Sequence, residues 1–222
     1  MDEVTQSRAE PRWERRKEDR PGELAAAALE LFVEKGCAAT RLDDVAARAG
    51  VSKGTLYLYF DSKEALLKAV IQSAVVPAIV QGEELVNQFQ GSAAALVREL
   101  VRAWWRLFAG TKVGGIPKLM MSEARNFPEL AQYYHDNVIA RGKRLFARAI
   151  QRGIEAGEFR PVEVNYAVQV LVSPLLLLAI WEHSFAVCAP RDLDPQRYLE
   201  ICADLFLDGL RTDGGPAAER RS

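Results

Sequence analysis

The feature that most constrains this chain is Gly50-Val51-Ser52, a turn signal between two apolar-periodic segments too short to stand alone. Isolated helices below ~12–15 residues are marginal in water, so both segments must pack on a third. That third is legible upstream, where Leu24, Ala28, Leu31 and Phe32 recur at helical spacing. Pro21 suits its first helical position and Gly36 its end. Thr40-Arg41-Leu42-Asp43 has the form of a capping box for the second helix, which would bury Leu42, Val45, Ala46 and Ala49. Gly50 supplies a left-handed turn residue, and Ser52 caps a third helix from Lys53 to about Phe60. Asp61-Ser62 cap a fourth from Lys63.

Downstream the apolar pattern stays helical, so the predicted fold class is all-α. Helix four is expected to run from Lys63 toward Phe89, bent or interrupted by Pro77. Leu96, Leu100, Trp104, Leu107 and Phe108 mark a fifth helix, and residues 117–125 a short sixth. Pro128 opens a long helix reaching Gly153, and residues 165–185 and 195–211 are the last two, nine in all. Residues 167–181 are the most apolar stretch. About 15 residues, broken by Gln169, Ser173 and Pro174, fall short of the ~20 a membrane span needs, so a buried helix is expected there. Residues 2–20 alternate in charge with Trp13 as the only large apolar group, which reads as an arm without a core.

Charge limits the function classes. The chain carries a net −1, and residues 1–63 hold 11 Lys/Arg against 12 Asp/Glu. Coating nucleic acid through bulk positive potential is therefore excluded, and any binding must rest on local geometry. Cys37, Cys188 and Cys202 are widely spaced and the only histidines are His135 and His183, so reduced thiols and no metal site are expected. With charges from Asp2 onward no secretory leader is expected, and the expected location is cytoplasmic. No Gly-rich phosphate loop and no Ser/His/Asp cluster is present, so neither an enzyme nor a cofactor is expected.

Two short helices joined by a glycine turn are the plan of a helix-turn-helix, although an ordinary αα-corner shares it. The third helix separates the two readings. At 100° per residue Leu56 and Phe60 share the core face, leaving Leu58 opposite, among Gly54, Thr55 and Tyr59. A leucine among small, hydroxyl-bearing and aromatic groups is a poor solvent face. It suits a DNA groove, where apolar groups meet thymine methyls and hydroxyls reach bases or phosphates.

The run Gly36-x3-Thr40, Val45-Ala46-x2-Ala49-Gly50-Val51-Ser52-Lys53-Gly54-Thr55-Leu56-Tyr57-x-Tyr59-Phe60-x2-Lys63-Glu64-x-Leu66 resembles the TetR/AcrR family signature. The resemblance implies a three-helix DNA-binding domain followed by a six-helix regulatory and dimerisation domain. By position, Thr40 and Arg41 would meet the backbone or a base edge. Ser52, Lys53, Gly54, Thr55 and Tyr57 would line the major groove, with Tyr59 and Lys63 on phosphates, and Leu58 would influence operator choice. The last two helices would pair with a second copy through Leu175, Leu178, Tyr198, Ile201, Cys202, Leu205 and Phe206. A ligand cavity is implied among the middle helices, with Trp104, Phe108, Met120, Met121, Arg125, Phe127, Tyr134, His135 and Trp181 as candidate lining, though such residues also make ordinary core. Residues 122–130 resemble an AefR-like subgroup.

The domains expected are a flexible charged arm (1–19), the helix-turn-helix domain (20–66), a ligand-binding and dimerisation domain (67–211) and a disordered tail (212–222). The function expected is a homodimeric, sequence-specific transcriptional regulator, a repressor released from a palindromic operator by a small, largely apolar ligand. The rivals are a ligand-independent architectural DNA-binder, a metal sensor built on carboxylates with His135 or His183, and an enzyme.

Overall fold

The computed structural model describes residues 12–108, 110–185, 188 and 194–212. The described part is helical, apart from one isolated antiparallel bridge between Phe159 and Arg211. Backbone contacts divide the chain into two compact units at Ser73–Ala74, a few residues beyond the boundary expected after residue 66. The outer arm (1–11) and the tail from residue 213 lie outside the described residues.

The N-terminal unit holds α1 (Arg12–Ala39), α2 (Leu42–Arg48), α3 (Lys53–Tyr57) and α4 (Lys63–Ala74). The inner part of the expected arm is helical: α1 starts at Arg12 and carries Pro21 inside it rather than at its first position. Arg20 pairs with Glu23 one turn on, at 2.7 Å, the kind of i,i+3 contact that supports a charged helix without a core. Gly36 (φ 81°) breaks the helix where expected, a backbone state that favours glycine. Leu24, Ala28, Leu31 and Phe32 of α1, Val45 and Ala46 of α2, Leu56 of α3, Phe60 beyond it, and Leu66, Leu67, Val70 and Ile71 of α4 are all buried.

The expected capping box is displaced by one residue. Arg41, not Thr40, is the N-cap of α2, and the Asp44 carboxylate accepts from the Arg41 amide at 3.4 Å. Ser52 does cap α3, its hydroxyl accepting from the Thr55 amide at 3.0 Å. Ser62 caps α4 in the same way through Ala65, at 3.1 Å. Helix four is two helices: α4 ends at Ala74, Val75 interrupts, and α5 (Val76–Gln88) begins with Pro77 in its first turn, where a missing N–H costs nothing.

The C-terminal unit contains α5, α6 (Ala93–Phe108), α7 (Ile116–Glu123), α8 (Pro128–Tyr134), α9 (Ala140–Glu155), α10 (Val164–Glu182) and α11 (Pro195–Leu210). The long helix expected from Pro128 is interrupted by a π-helical turn, His135–Ile139, between α8 and α9. The α9 helix packs against α5, α6 and α10, burying Leu145, Phe146, Ala149 and Ile150. Gly82 on α5 lets α9 approach, since a Cβ there would sit 2.6 Å from Leu145. Glu158 reaches back to cap α6, accepting from the Ala93 and Ala94 amides at 2.8 and 3.2 Å. The apolar α10 is long enough to cross a membrane by length and composition, yet Val168, Leu171, Leu175 and Leu178 are spent on the core of this unit.

Candidate nucleic-acid interface

The α3 helix is oriented by two side chains, Leu56 and the following Phe60, which bury its inner face. That commits the opposite face to solvent: Leu58 is 83% exposed, and Gly54 and Tyr57 are exposed beside it. The Ser52 and Thr55 hydroxyls lie 2.8 Å apart at the start of the helix. Lys53 pairs with Asp43 of α2 at 3.0 Å and sits 5.7 Å from the Tyr57 ring centroid, so the ammonium is aimed along the exposed face.

Ion pairs hold α2 against α1. Arg48 reaches Glu30 (2.7 Å) and Glu34 (3.2 Å), and Lys35 reaches Asp44 at 2.5 Å. The hydrogen bond from Lys35 holds the Asp44 carboxyl below the usual carboxylate range, and the Glu34 and Glu30 carboxylates push the Arg48 guanidinium above its ordinary value. The sequence reading missed this frame, although i,i+4 Glu30 and Glu34 facing a later arginine were its signal.

Two expected DNA contacts are occupied otherwise. Thr40 is fully buried, and its hydroxyl donates to Gly36 O at 2.7 Å with Leu31 O at 3.3 Å, so its side chain is part of the fold and out of reach of nucleic acid. Lys63 donates to the Cys37 and Ala38 carbonyls at 2.9 and 3.0 Å, capping the end of α1 with a cation and leaving one N–H for any phosphate. Arg41, Ser52, Lys53, Gly54, Tyr57 and Leu58 are exposed, with Thr55 and Tyr59 partly so.

In the C-terminal unit the expected dimer residues divide. Ile201 and Leu205 are exposed, and Tyr198, Cys202 and Phe206 partly buried. Leu175 and Leu178 are core residues of their own chain, because α10 turns Val168, Leu171, Leu175 and Leu178 inward at helical spacing. The outward face instead carries Tyr166, Val170, Leu177 and Trp181, none of them among the residues expected to pair. Gln169 and Ser173 at i and i+4 were the available clue to the phase of this helix.

The expected ligand lining also divides. Phe108, Met120 and Tyr134 are buried, and burial pushes the Tyr134 phenol up. Trp104 packs on Phe108 at 4.5 Å between centroids and is partly buried, as is Phe127. Met121, Arg125, His135 and Trp181 are exposed. Among the described residues no group of three His, Cys, Asp or Glu side chains gathers in metal-binding positions.

Residues 24–70 match the family described as bacterial regulatory proteins, tetR family, and residues 90–186 match a tetracyclin repressor-like C-terminal domain. The chain is 25% identical over 196 residues to the HTH-type transcriptional repressor KstR2 of Rhodococcus jostii (strain RHA1), covering 87% of this chain and 92% of that protein. It is 29% identical over 149 residues to the HTH-type transcriptional regulator YfiR of Bacillus subtilis (strain 168), covering 66% and 71%. Among solved structures, the TetR family transcriptional regulator PfmR of Thermus thermophilus is similar with a TM-score of 0.70 at 26% identity, over 85% of this chain and 99% of that one. With the capped α3 and its exposed apolar face, these matches identify the chain as a member of the TetR family, a DNA-binding transcriptional regulator.

Proposed function

We propose that the chain acts in the cytoplasm as a homodimer on a palindromic operator, as a repressor released by a small, largely apolar ligand. The observation that carries the DNA half of this reading is Leu58, exposed at the C-cap of a helix whose outward positions are a lysine, a glycine, a threonine and a tyrosine behind the Ser52 cap. Such a face offers methyl contact to thymine and hydrogen bonds to base edges, with Lys53 and Tyr57 beside it in the groove and Tyr59 and Lys63 toward the phosphates. Exposed Tyr166, Val170 and Leu177 of α10 and Ile201 and Leu205 of α11 support pairing with a second copy. A two-fold dimer reads two half-sites roughly 34–36 Å apart, hence the palindrome. Repression is favoured by the relative KstR2, named as a repressor.

The test is to sequence DNA fragments selected by the purified chain. Two inverted half-sites about one helical turn apart, or a multiple of it, are expected. Enrichment of a single unrepeated site, or no enrichment, would overturn the reading. Compounds that release the selected DNA then identify the effector.

A further inference from the structure

An open groove of about 540 Å³ lies among α5, α6, α9 and the start of α10. Its floor is apolar: Val86 and Leu96 are buried, and Ala147 and Val164 are partly buried. One wall is a stripe of arginines, Arg144, Arg148 and Arg152, at i, i+4 and i+8 along α9. At 1.5 Å rise per residue the stripe spans roughly 12 Å on one side of the helix. Gln151 and Glu155 complete the lining and bond each other at 2.9 Å. None of the nine residues expected to touch a ligand is among those named here.

The three guanidiniums are unequally engaged. Arg152 donates to Phe89 O at 3.0 Å and Gly91 O at 2.7 Å, closing the chain beyond α5. Arg148 spends one N–H on Asn87 Oδ1, at 2.7 Å. Arg144 hydrogen-bonds to no described residue. Glu83, whose carboxylate feels Arg144 and Arg148, is already held by a two-pronged pair with Arg141 at 2.8 and 2.7 Å. Glu155 is then the one acid in the lining against three arginines, so the groove carries uncompensated positive charge above an alkyl floor.

We propose that this groove binds an amphipathic anion, an alkyl chain ending in a phosphate or carboxylate. The chain lies over Val86, Leu96, Ala147 and Val164, and the head meets Arg144 and the free N–H groups of Arg148. Planar guanidiniums suit this head because they offer paired donors to either oxyanion and are more weakly hydrated than ammonium. The inference rests on the groove alone, and its test is made without DNA, so its failure leaves the operator reading untouched.

Calorimetry on the full chain, below the micellar range, would compare decyl phosphate, decanoate, inorganic phosphate and decanol. Saturable binding of decyl phosphate or decanoate is expected, and whichever binds tighter identifies the head group. Affinity should fall at least tenfold in Arg144→Ala, whose side chain is exposed and unbonded, and again in Ala147→Glu, which puts a carboxylate on the floor. Melting temperatures would confirm that each variant is folded. The proposal is overturned by inorganic phosphate binding as tightly as decyl phosphate, which marks a plain anion patch. Decanol binding as tightly overturns it too, since no head-group recognition remains, as does unchanged affinity in Arg144→Ala.

Discussion

The two units expose apolar side chains in opposite ways. In the N-terminal unit Leu58 stands among Gly54, Thr55 and Tyr57, fenced by the Lys53–Asp43 pair. In the C-terminal unit Tyr166, Val170 and Leu177 follow one another along one side of α10, which has no charged residue before Glu182, and Ile201 and Leu205 stand one turn apart on α11. Burying one leucine yields only about 1.5–3 kcal/mol, too little to hold two proteins together but enough to discriminate one base step from another. A row of large side chains on two packed helices is scaled to a protein partner. Patch size and polar framing thus separate the surface proposed to read DNA from the surface proposed to assemble.

The sharpest way to break this comparison is a charge in the larger patch. Leu177→Glu and Leu205→Glu should each convert dimer to monomer in sedimentation, because a carboxylate in an apolar contact is uncompensated. Leu175→Glu, two residues from Leu177 but fully buried, should unfold the C-terminal unit instead. An intact dimer in both exposed-face variants would move assembly elsewhere.

Next in size is a contrast within α3. Leu56→Ala should cost about 2–5 kcal/mol of N-terminal stability by leaving a cavity. Leu58→Ala should change stability by no more than about 0.5 kcal/mol. It should nevertheless shift operator preference by about 1–3 kcal/mol per disturbed base contact. Denaturant titration and binding to ranked DNA sites read the two effects separately, and an unchanged ranking would strip Leu58 of its reading role. Smaller again is Ser52→Ala, which removes the cap on Thr55 N and should cost about 1 kcal/mol; a loss near zero by the same titration would show that α3 is held by Leu56 and Phe60 alone.

The smallest effect is acid-dependent and confined to one unit, since both histidines lie in the C-terminal part. Burial, then Lys118 and Lys112, hold the His183 imidazole below its ordinary value of 6.5. The folded unit therefore favours neutral His183, and this contribution is complete above about pH 6.5 and lost as pH falls toward the lower folded value. In melting curves across that window, His183→Gln should flatten part of the slope. An identical slope in the variant would rule out His183 as its source.

Sequence periodicity exposes α3 because Leu56 and Phe60 fix one phase and every other position but Leu58 is small or polar. The same reasoning fails on α10, where apolar residues occupy most of the circumference and only Gln169 and Ser173 mark a phase, so Leu175 and Leu178 look available to a partner when packing turns them in. The charged run before Arg20 has the composition of a coreless arm, yet charge pairing such as Arg20–Glu23 is compatible with helix from Arg12. The break at Val75 is marked in the sequence by Pro77, which opens the next helix, whereas the π-helical turn at His135–Ile139 contains neither glycine nor proline and has no local signature; tertiary packing decides it. The groove beside Arg144 is equally hidden, because its floor comes from four helices distant in sequence.

The buried hydroxyl of Thr40 has a consequence for genetics. Random mutagenesis scored by loss of reporter regulation would return Thr40 beside Lys53 as equal hits, both within the signature that marks this family. The two would differ in the cell's inventory: a Thr40→Val protein, with the Gly36 and Leu31 carbonyls stripped of their donor, would be depleted by proteolysis, while a Lys53→Ala protein would accumulate to normal levels and fail only on DNA. Immunoblot abundance, read beside reporter activity, would therefore sort the motif's positions into those that keep the reading head folded and those that touch what it reads.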